Sequence, residues 1–195
     1  VLDTWPERAE GTPPPRSIVG NLPYSSAAVI IASFIEAGLI ADQFLVMVQD
    51  EVADRMVAGP GTRTYSAFTV LVQSRLSVAR SMRIQPSSFY PRPEVASALV
   101  ELRPRADAPD IADPAVLTAL TRAVFHARRK TVVNSLTQAG LVVGGRRRAL
   151  TREEARALLT AAGIDPAVRG ETLSVERVVG LANLVAERLT GLREP

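Results

Sequence analysis

The sequence of 195 residues contains no cysteine and a single histidine, His126. Without cysteine the chain can form neither a disulfide framework nor a thiolate metal site. One histidine also argues against a histidine-based zinc site and against a Ser-His-Asp triad. We therefore expect no metal, and chemistry that uses amides, aromatic rings, carboxylates or a bound cofactor.

Long apolar runs are also missing. No stretch of about 18 apolar residues occurs, and the opening Val1-Leu2-Asp3-Thr4-Trp5 lacks the basic and apolar regions of a signal peptide. We therefore expect a soluble, cytoplasmic protein without a membrane partner. The 47% of hydrophobic residues suffices for one sizeable core, or for one core and a small satellite.

A glycine-rich fingerprint of the Gly-x-Gly-x-x-Gly kind, which binds phosphates or dinucleotides, is absent from the sequence. The nearest glycine clusters are Gly59-Pro60-Gly61 and Gly144-Gly145, and neither follows a predicted strand. The chain also opens abruptly, and a doubly wound sheet that starts with only about two parallel strands cannot close its core. We therefore expect that an N-terminal portion carrying the first strands precedes Val1.

Basic residues are concentrated in one segment. The net charge is only +3, yet residues 114–150 contain seven basic residues and no Asp or Glu. These basic residues are Arg122, Arg128, Arg129, Lys130, Arg146, Arg147 and Arg148. Such a block is typical of a protein with a polyanionic partner, and the alternative is a solvated face that only keeps the protein soluble.

The first half of the sequence alternates strand and helix patterns. The predicted strands are residues 17–20, 44–48, 78–84 and 95–102, and the predicted helices are residues 27–37, 51–58 and 65–77. This alternation predicts an α/β domain with a mostly parallel sheet that is covered on both faces and finishes with an antiparallel pair. We expect Ser25 or Ser26 to cap the first helix and Gly38 to end it.

The second half has a different pattern. Residues 105–113 form a predicted proline-rich linker between the α/β domain, residues 1–104, and a small all-helical domain, residues 114–195. The predicted helices of the second domain are residues 115–125, 131–138, 152–162 and 175–189. A capping box at Thr151 and Glu154 starts the third of these helices, and Ser174 caps the fourth.

The first predicted strand ends in an unusual sequence, Gly20-Asn21-Leu22-Pro23-Tyr24. Open α/β sheets bind ligands at the carboxyl ends of their strands. Leu22 precedes proline and is held extended, and Pro23 has no backbone N–H to donate. The Asn21 side-chain oxygen and the Leu22 carbonyl can then accept hydrogen bonds from one amino group, while Tyr24 offers a flat face beside it. Two acceptors hold the exocyclic amine of a nucleobase and favour the pyramidal geometry that frees its lone pair.

The alternative interpretation is structural: Asn21 and Pro23 form a turn at the strand end, and Tyr24 packs into the core. A second aromatic residue favours the functional interpretation, because Phe89 lies in a proline-stiffened loop, residues 86–93. A base flipped out of a nucleic acid needs stacking partners, each typically worth about 1–3 kcal/mol. We therefore expect Tyr24 and Phe89 to stack on the two faces of one base.

Four passages resemble the ribosomal RNA adenine N6,N6-dimethyltransferase family, whose members dimethylate two adjacent adenosines near the 3′ end of small-subunit rRNA. The passages are residues 20–24, 49–61, 89–95 and 125–136. The first passage is shared with other adenine methyltransferases, whereas the second and the fourth together are much more specific. The resemblance covers nearly the whole chain.

The resemblance implies a class I methyltransferase fold that uses S-adenosyl-L-methionine, followed by a helical domain that docks on rRNA. The implied catalytic residues are Asn21, Leu22, Pro23, Tyr24 and Phe89, with Asn21 also in contact with the cofactor. The implied RNA-binding residues are Arg128, Arg129, Lys130, Arg146, Arg147 and Arg148. The glycine-rich cofactor loop of the family would precede Val1, so we expect residues 1–195 alone to bind the cofactor weakly or not at all.

The implied partner is small-subunit (16S) rRNA in the assembling 30S subunit, and we expect the protein to act as a monomer. Two alternatives stay open. One is a non-catalytic RNA-binding or ribosome-assembly factor with the same fold, and the other is the 23S rRNA adenine N6-methyltransferase that confers antibiotic resistance. The passage at residues 128–136 resembles the small-subunit enzymes and argues against the second alternative.

Overall fold

The structure, a computed structural model, describes residues 16–38, 41–143 and 145–190, without the side chains of residues 189 and 190. The predictions for residues 1–15 lie outside this part. The described chain divides into two compact units. Residues 16–58 and 75–108 form the first unit, and residues 59–74 and 109–190 form the second. Residues 59–74, which the sequence analysis places in the α/β domain, thus pack with the second unit.

The first unit contains a four-stranded sheet and two helices. Its strands are β1 (Ser17–Asn21), β2 (Gln43–Gln49), β3 (Leu76–Ile84) and β4 (Ser97–Pro104), and its helices are α1 (Ala27–Glu36) and α2 (Asp50–Val57). The strands lie in the order β1-β2-β4-β3. β1 and β2 pair in parallel, whereas β4 pairs antiparallel with both β2 and β3. The prediction of a mostly parallel sheet is wrong for the described strands, because only β1 and β2 are neighbours joined by a helical crossover.

The buried face of this sheet comes from alternate residues of its two central strands. The buried cross-strand pairs are Phe44 with Leu102, Val46 with Val100 and Val48 with Ala98. On helix α1, the ring of Phe34 lies 6.3 Å from the Phe44 ring, measured between centroids. The residues between these pairs, such as Leu45 and Leu99, are half-buried, since side chains alternate between the faces of a sheet. The predicted strand at residues 95–102 was recognised by its alternation, whereas that at residues 44–48 was recognised as an apolar run of strand length.

Strand β1 lies at an edge of the described sheet, and its burial differs from the prediction. Residues 17–20 are predicted from sequence to be a buried strand, yet Val19 is 75% exposed. Pairing with β2, from Ser17 opposite Gln43 to Asn21 opposite Met47, holds the strand in place. The predicted position of Asn21 at the carboxyl end of a parallel strand is confirmed.

The second unit is mainly helical. Its helices are α3 (Ala67–Gln73), α4 (Pro114–Val124), α5 (Val132–Ala139), α6 (Arg152–Ala161) and α7 (Val175–Thr190). The predicted capping box is confirmed: the Glu154 N–H donates to Thr151 Oγ1 at 3.1 Å, and the Thr151 N–H donates to the Glu154 carboxylate at 2.8 Å. Ser174 Oγ accepts from the Arg177 N–H at 3.3 Å, as expected of a cap. In the first unit, by contrast, the side chain of Ser26 makes no capping hydrogen bond at the start of α1.

A two-stranded hairpin follows α5, where the sequence analysis predicts no strand. β5 (Leu141–Val143) pairs antiparallel with β6 (Arg146–Arg148), and Gly145 in the connection has a φ of 74°. The second unit is therefore not entirely helical. Gly145 thus lies in the connection of a hairpin rather than in a cofactor loop. Three consecutive arginines show no apolar alternation by which β6 could be recognised.

The contacts of Tyr65 explain why residues 59–74 belong to the second unit. The Tyr65 hydroxyl is buried and donates to the Leu173 carbonyl at 2.9 Å, and its ring lies 5.6 Å from the Phe125 ring. Burial, together with the nearby Glu176 carboxylate, raises the pKa of Tyr65, so its hydroxyl stays protonated and remains a donor. Local spacing predicts the helix in this segment but does not indicate which unit it packs against.

Candidate functional site

The loops that carry the predicted catalytic residues lie at one end of the strands. β1 and β2 run parallel and both end there, where Asn21 is paired with Met47. β4 runs antiparallel to β2 and starts at the same end, with Ser97 opposite Gln49 on one side and Ile84 on the other. The loop after β1 and the loop between β3 and β4 therefore emerge at the same end of the sheet.

The hydrogen bonds of the Asn-Leu-Pro-Tyr segment leave two acceptors free. The Leu22 N–H donates to the Met47 carbonyl at 3.1 Å, and the Ser26 N–H donates to the Pro23 carbonyl at 3.1 Å, which closes a turn. Within the described residues, neither the exposed Asn21 side chain nor the Leu22 carbonyl oxygen has a hydrogen-bond partner. Both acceptors that the sequence analysis assigns to an amine are thus available at the carboxyl end of β1.

Tyr24 is anchored through its hydroxyl while its side chain stays half-buried. The hydroxyl oxygen lies 2.5 Å from Oγ of Ser97, a fully buried serine at the start of β4. This bond restricts the orientation of the ring and leaves part of it accessible at the end of β1. Ser97 lies 73 residues away in the sequence. Ser97 was not predicted as a positioning residue, because no local pattern in the sequence indicates it.

Phe89 lies in the loop between β3 and β4, directly after a short 3-10 turn at Pro86–Ser88. Its side chain is half-buried, whereas that of the neighbouring Tyr90 is fully exposed. In the described structure the rings of Tyr24 and Phe89 are not in contact with each other. Two separate rings at the same end of the sheet are compatible with stacking on both faces of one base, and that arrangement stays a prediction.

The acidic residue at the carboxyl end of β2 takes part in a cluster of ion pairs. Asp50, the first residue of α2, accepts hydrogen bonds from the Arg80 guanidinium and, at 2.9 Å, from Arg83 Nε. Arg80 also donates to the Asp54 carboxylate at 2.7 Å. These bonds join α2 to the edge strand β3. Because Asp50 is held in this way, we assign it a structural role and not that of a free base.

Arg128, a predicted RNA contact, has protein partners in this structure. Its Nε lies 2.7 Å from Glu171 Oε2, and its Nη2 donates to the Thr62 carbonyl at 2.9 Å. The guanidinium therefore ties the turn before α5 to the segment at residues 59–74. Its contact with RNA stays a prediction.

Two of the three arginines of strand β6 also have protein partners. Arg147 donates from Nη2 to the Gln138 carbonyl at 3.0 Å and from Nε to the Ala139 carbonyl at 3.1 Å, which satisfies acceptors at the end of α5. Arg148 Nη2 lies 3.6 Å from Glu154 Oε1. β6 thus uses part of its charge to hold the hairpin against the neighbouring helices.

The remaining predicted RNA contacts are Arg129, Lys130 and Arg146. Their side chains are exposed and, among the residues described, have no hydrogen-bond or ion-pair partner. Arg129 and Lys130 precede the first turn of α5, whereas β6 is bonded to its last residues. The predicted basic cluster is therefore two groups at opposite ends of an eight-residue helix that is about 12 Å long.

Within residues 16–38, 41–143 and 145–190, no helix has both the length and the apolar character needed to span a bilayer. Those ranges also contain no group of three or more His, Asp or Glu side chains arranged to hold a metal ion.

Ser97→Ala is expected to lower the free energy of unfolding by about 1 kcal/mol, because it leaves the half-buried Tyr24 hydroxyl without its partner. Tyr24→Phe removes the same hydrogen bond from the other side. Urea unfolding of the two single variants and the double variant completes a double-mutant cycle. We expect the double variant to lose less than the sum of the single variants. Strict additivity would contradict the bond, and Ser81→Ala, at an exposed serine of β3, is the matched control.

Comparisons with known proteins identify related sequences. A model of the family described as ribosomal RNA adenine dimethylase matches residues 14–185. The chain is 39% identical over 184 residues to ribosomal RNA small subunit methyltransferase A of Treponema pallidum (strain Nichols), covering 94% of this chain and 62% of the relative. It is 37% identical over 186 residues to the protein of the same name from Escherichia coli (strain SE11), covering 94% of this chain and 63% of the relative. The chain thus spans less than two thirds of the length of these curated relatives.

Solved structures share the fold. A dimethyladenosine transferase from Plasmodium falciparum has a TM-score of 0.69 at 21% identity, over 90% of this chain and 67% of that chain. The 23S rRNA methyltransferase ErmE has a TM-score of 0.57 at 19% identity, over 95% of this chain and 78% of that chain. The sheet that carries Asn-Leu-Pro-Tyr at the end of β1 therefore has the class I methyltransferase fold. The chain belongs to the ribosomal RNA adenine dimethylase family, which confirms the resemblance drawn from its sequence.

Proposed function

We propose that this protein uses S-adenosyl-L-methionine to dimethylate the N6 amines of two adjacent adenosines near the 3′ end of small-subunit (16S) rRNA during ribosome assembly. The family and the names of the relatives support this reaction over a 23S rRNA enzyme or a non-catalytic assembly factor. The chain spans 62% of the Treponema relative, so the activity, the substrate and the partners are proposals for this chain.

The observation that carries the proposal is the pair of free acceptors at the end of β1. An adenine N6 amine is a poor nucleophile because its lone pair is delocalised into the ring. The Asn21 side-chain oxygen and the Leu22 carbonyl can each accept one of its N–H bonds, which orients the amine and favours its pyramidal form. Pro23 has no N–H that would compete for these acceptors. The arrangement needs no charged base, and the nearby Asp50 is already ion-paired.

The aromatic residues hold the base in this proposal. Tyr24, oriented by its bond to Ser97, provides one stacking surface beside the acceptors. Phe89 provides the second from the loop between β3 and β4. Stacking on both faces would exclude water from the amine and keep it in reach of Asn21, so each ring contributes to both binding and orientation.

Asn21 is also the described residue that fits a contact with S-adenosyl-L-methionine, since its exposed amide lies at the carboxyl end of a parallel strand. When bound, this cofactor supplies an electrophilic methyl group. In the described residues, the connections from β1 to α1 and from β2 to α2 contain no glycine-rich loop. We assign no further cofactor contact.

The proposed partner is rRNA within the assembling 30S subunit, and we propose that the protein meets it as a monomer in the cytoplasm. Arg129, Lys130 and Arg146 support this partner because their charges have no described protein partner. Such side chains can neutralise phosphates and release counterions, which provides most of the affinity of a protein for RNA.

The direct test is transfer of tritiated methyl groups from S-adenosyl-L-methionine to assembling 30S particles and to 23S rRNA, followed by nucleoside analysis. We expect N6,N6-dimethyladenosine in small-subunit rRNA alone. Labelled 23S rRNA would support the resistance-type enzyme instead. Binding to 30S particles without any label would support the non-catalytic assembly factor.

Arg129→Ala combined with Lys130→Ala is expected to weaken binding to RNAs of many sequences and to lower the slope of log affinity against log salt by about 1.4 to 1.8. Each substitution removes one free cation and hence one phosphate contact. Fluorescence anisotropy at several salt concentrations measures the slope. The matched control is Arg177→Ala with Arg188→Ala, which removes two exposed cations of α7. An unchanged slope would mean that this part of the basic segment is only a solvated face.

A further inference from the structure

A cleft in the second unit presents a pair of arginines that the sequence analysis leaves unassigned. The cleft has a volume of about 450 Å³. One wall is a single face of α6, which carries Arg152, Arg156 and Thr160 at intervals of four residues. The facing wall is the start of α5, with Thr131 and Asn134, and Asp165 lies at the rim.

The two arginines are available for a ligand. Both side chains are exposed, and within the described structure neither has an ion-pair or hydrogen-bond partner. Glu154 of α6, which lies 3.6 Å from Arg148, is on a different face of the helix from these two arginines. Arg152 and Arg156 therefore form a stripe whose members are about 6 Å apart along the helix axis.

Within the described residues, the acid at the rim forms no ion pair with either arginine. Asp165 accepts a hydrogen bond from the Ala167 N–H at 2.9 Å, so its carboxylate holds the turn after α6. Arg129 and Lys130, both without described partners, directly precede Thr131 on the opposite wall. Positive residues thus lie on the α6 wall and, in sequence, directly before the α5 wall.

We propose that this cleft binds the phosphate backbone of RNA, with Arg152 and Arg156 as direct phosphate ligands. The inference rests on the proposed rRNA substrate and extends its contact surface from the turn before α5 to helix α6. A guanidinium offers a planar fork of donors that matches the oxygens of a phosphate. The Asn134 side chain, which has no partner in the described part of the chain, adds a neutral donor on the facing wall. Two arginines one helical turn apart can contact successive positions of one strand, together with Arg129 and Lys130.

The experiment compares the wild-type chain with Arg152→Ala/Arg156→Ala in salt titrations followed by fluorescence anisotropy. The probes are a labelled RNA fragment from the 3′ end of small-subunit rRNA and polyuridine of equal length. We expect weaker binding of both RNAs and a decrease of the salt slope by about 1.4 to 1.8, because phosphate contacts do not depend on sequence. Both residues are exposed and alanine favours helix, so the variant is expected to fold.

Two further variants sharpen the comparison. Arg152→Lys/Arg156→Lys keeps the charges and should restore most of the slope, since lysine also neutralises phosphate. Arg177→Ala/Arg188→Ala removes the same charge from α7 and should leave the slope at the wild-type value. A slope lowered equally by this control would show a general charge effect and overturn the assignment to the cleft.

The remaining outcomes separate this inference from the proposed function. If wild-type protein binds the rRNA fragment and the Arg152→Ala/Arg156→Ala variant shows the same slope, the cleft assignment is wrong and the proposed substrate stands. If wild-type protein binds neither RNA, both are wrong. If polyglutamate binds the wild type as tightly as RNA at equal salt, and this binding is lost in the variant, the cleft takes an acidic peptide and the RNA assignment is wrong.

Discussion

Asn21→Ala is expected to slow methyl transfer to rRNA by about 10²- to 10³-fold, or about 2.7–4 kcal/mol of activation free energy. The lost amide oxygen would orient the adenine amine in the transition state. Affinity for rRNA should change little, since it comes mainly from phosphate contacts. Stability should be preserved, because the Asn21 side chain is exposed and has no partner within the described residues. Single-turnover transfer of tritiated methyl groups, with anisotropy and thermal unfolding on the same samples, measures all three quantities.

Two controls accompany this variant. Asn21→Asp keeps the acceptor oxygens and should retain clearly more activity than the alanine variant. Gln138→Ala removes another exposed amide, at the end of α5, and should behave like wild type. Activity of Asn21→Ala within a few-fold of wild type would show that the amide does not hold the amine.

Phe89→Ala is expected to reduce methyl transfer by about 5- to 150-fold, which corresponds to the loss of one base–aromatic stack worth about 1–3 kcal/mol. The ring is half-buried in the loop between β3 and β4, at the end of the sheet where β1 ends. A stack that holds the base acts on both binding and orientation, so KM should rise and kcat should fall. Phe89→Trp retains a stacking surface and should recover part of the activity.

Tyr90→Ala is the matched control for the loop. Tyr90 is the next residue along the chain and its ring is fully exposed, so removing it should leave methyl transfer close to the wild-type rate. Equal losses in Phe89→Ala and Tyr90→Ala would indicate that the loop as a whole was disturbed. That result would contradict a specific stacking role for Phe89.

Features that depend on neighbours within one turn or one strand could be predicted from sequence. The apolar run of residues 44–48 has the length of a strand and predicts one within Gln43–Gln49, where the structure has β2. Thr151 and Glu154 form their capping box because both partners lie in the first turn of one helix. The Asn-Leu-Pro-Tyr passage likewise indicates free acceptors at a strand end, since Pro23 limits the backbone locally.

Features that depend on strand pairing required the tertiary structure. β6 is a strand because it pairs with β5, although three arginines in a row have no strand pattern of their own. β1 was predicted as buried from its apolar residues, but its position at the edge of the described sheet leaves Val19 exposed. Local composition does not reveal which strand lies beside another, because that is decided by contacts between distant parts of the chain.

Some features of individual side chains could likewise be predicted from sequence, whereas others required the tertiary structure. By itself the sequence determined the family, the position of Asn21 and Leu22 at the carboxyl end of a parallel strand, and the basic segment. Only the tertiary structure showed that Ser97 holds the Tyr24 hydroxyl. It also showed that Arg128 is ion-paired, whereas the adjacent Arg129 has no partner among the described residues. Residues of one type in one short passage differ in this way because the partner of each side chain comes from another element of the fold.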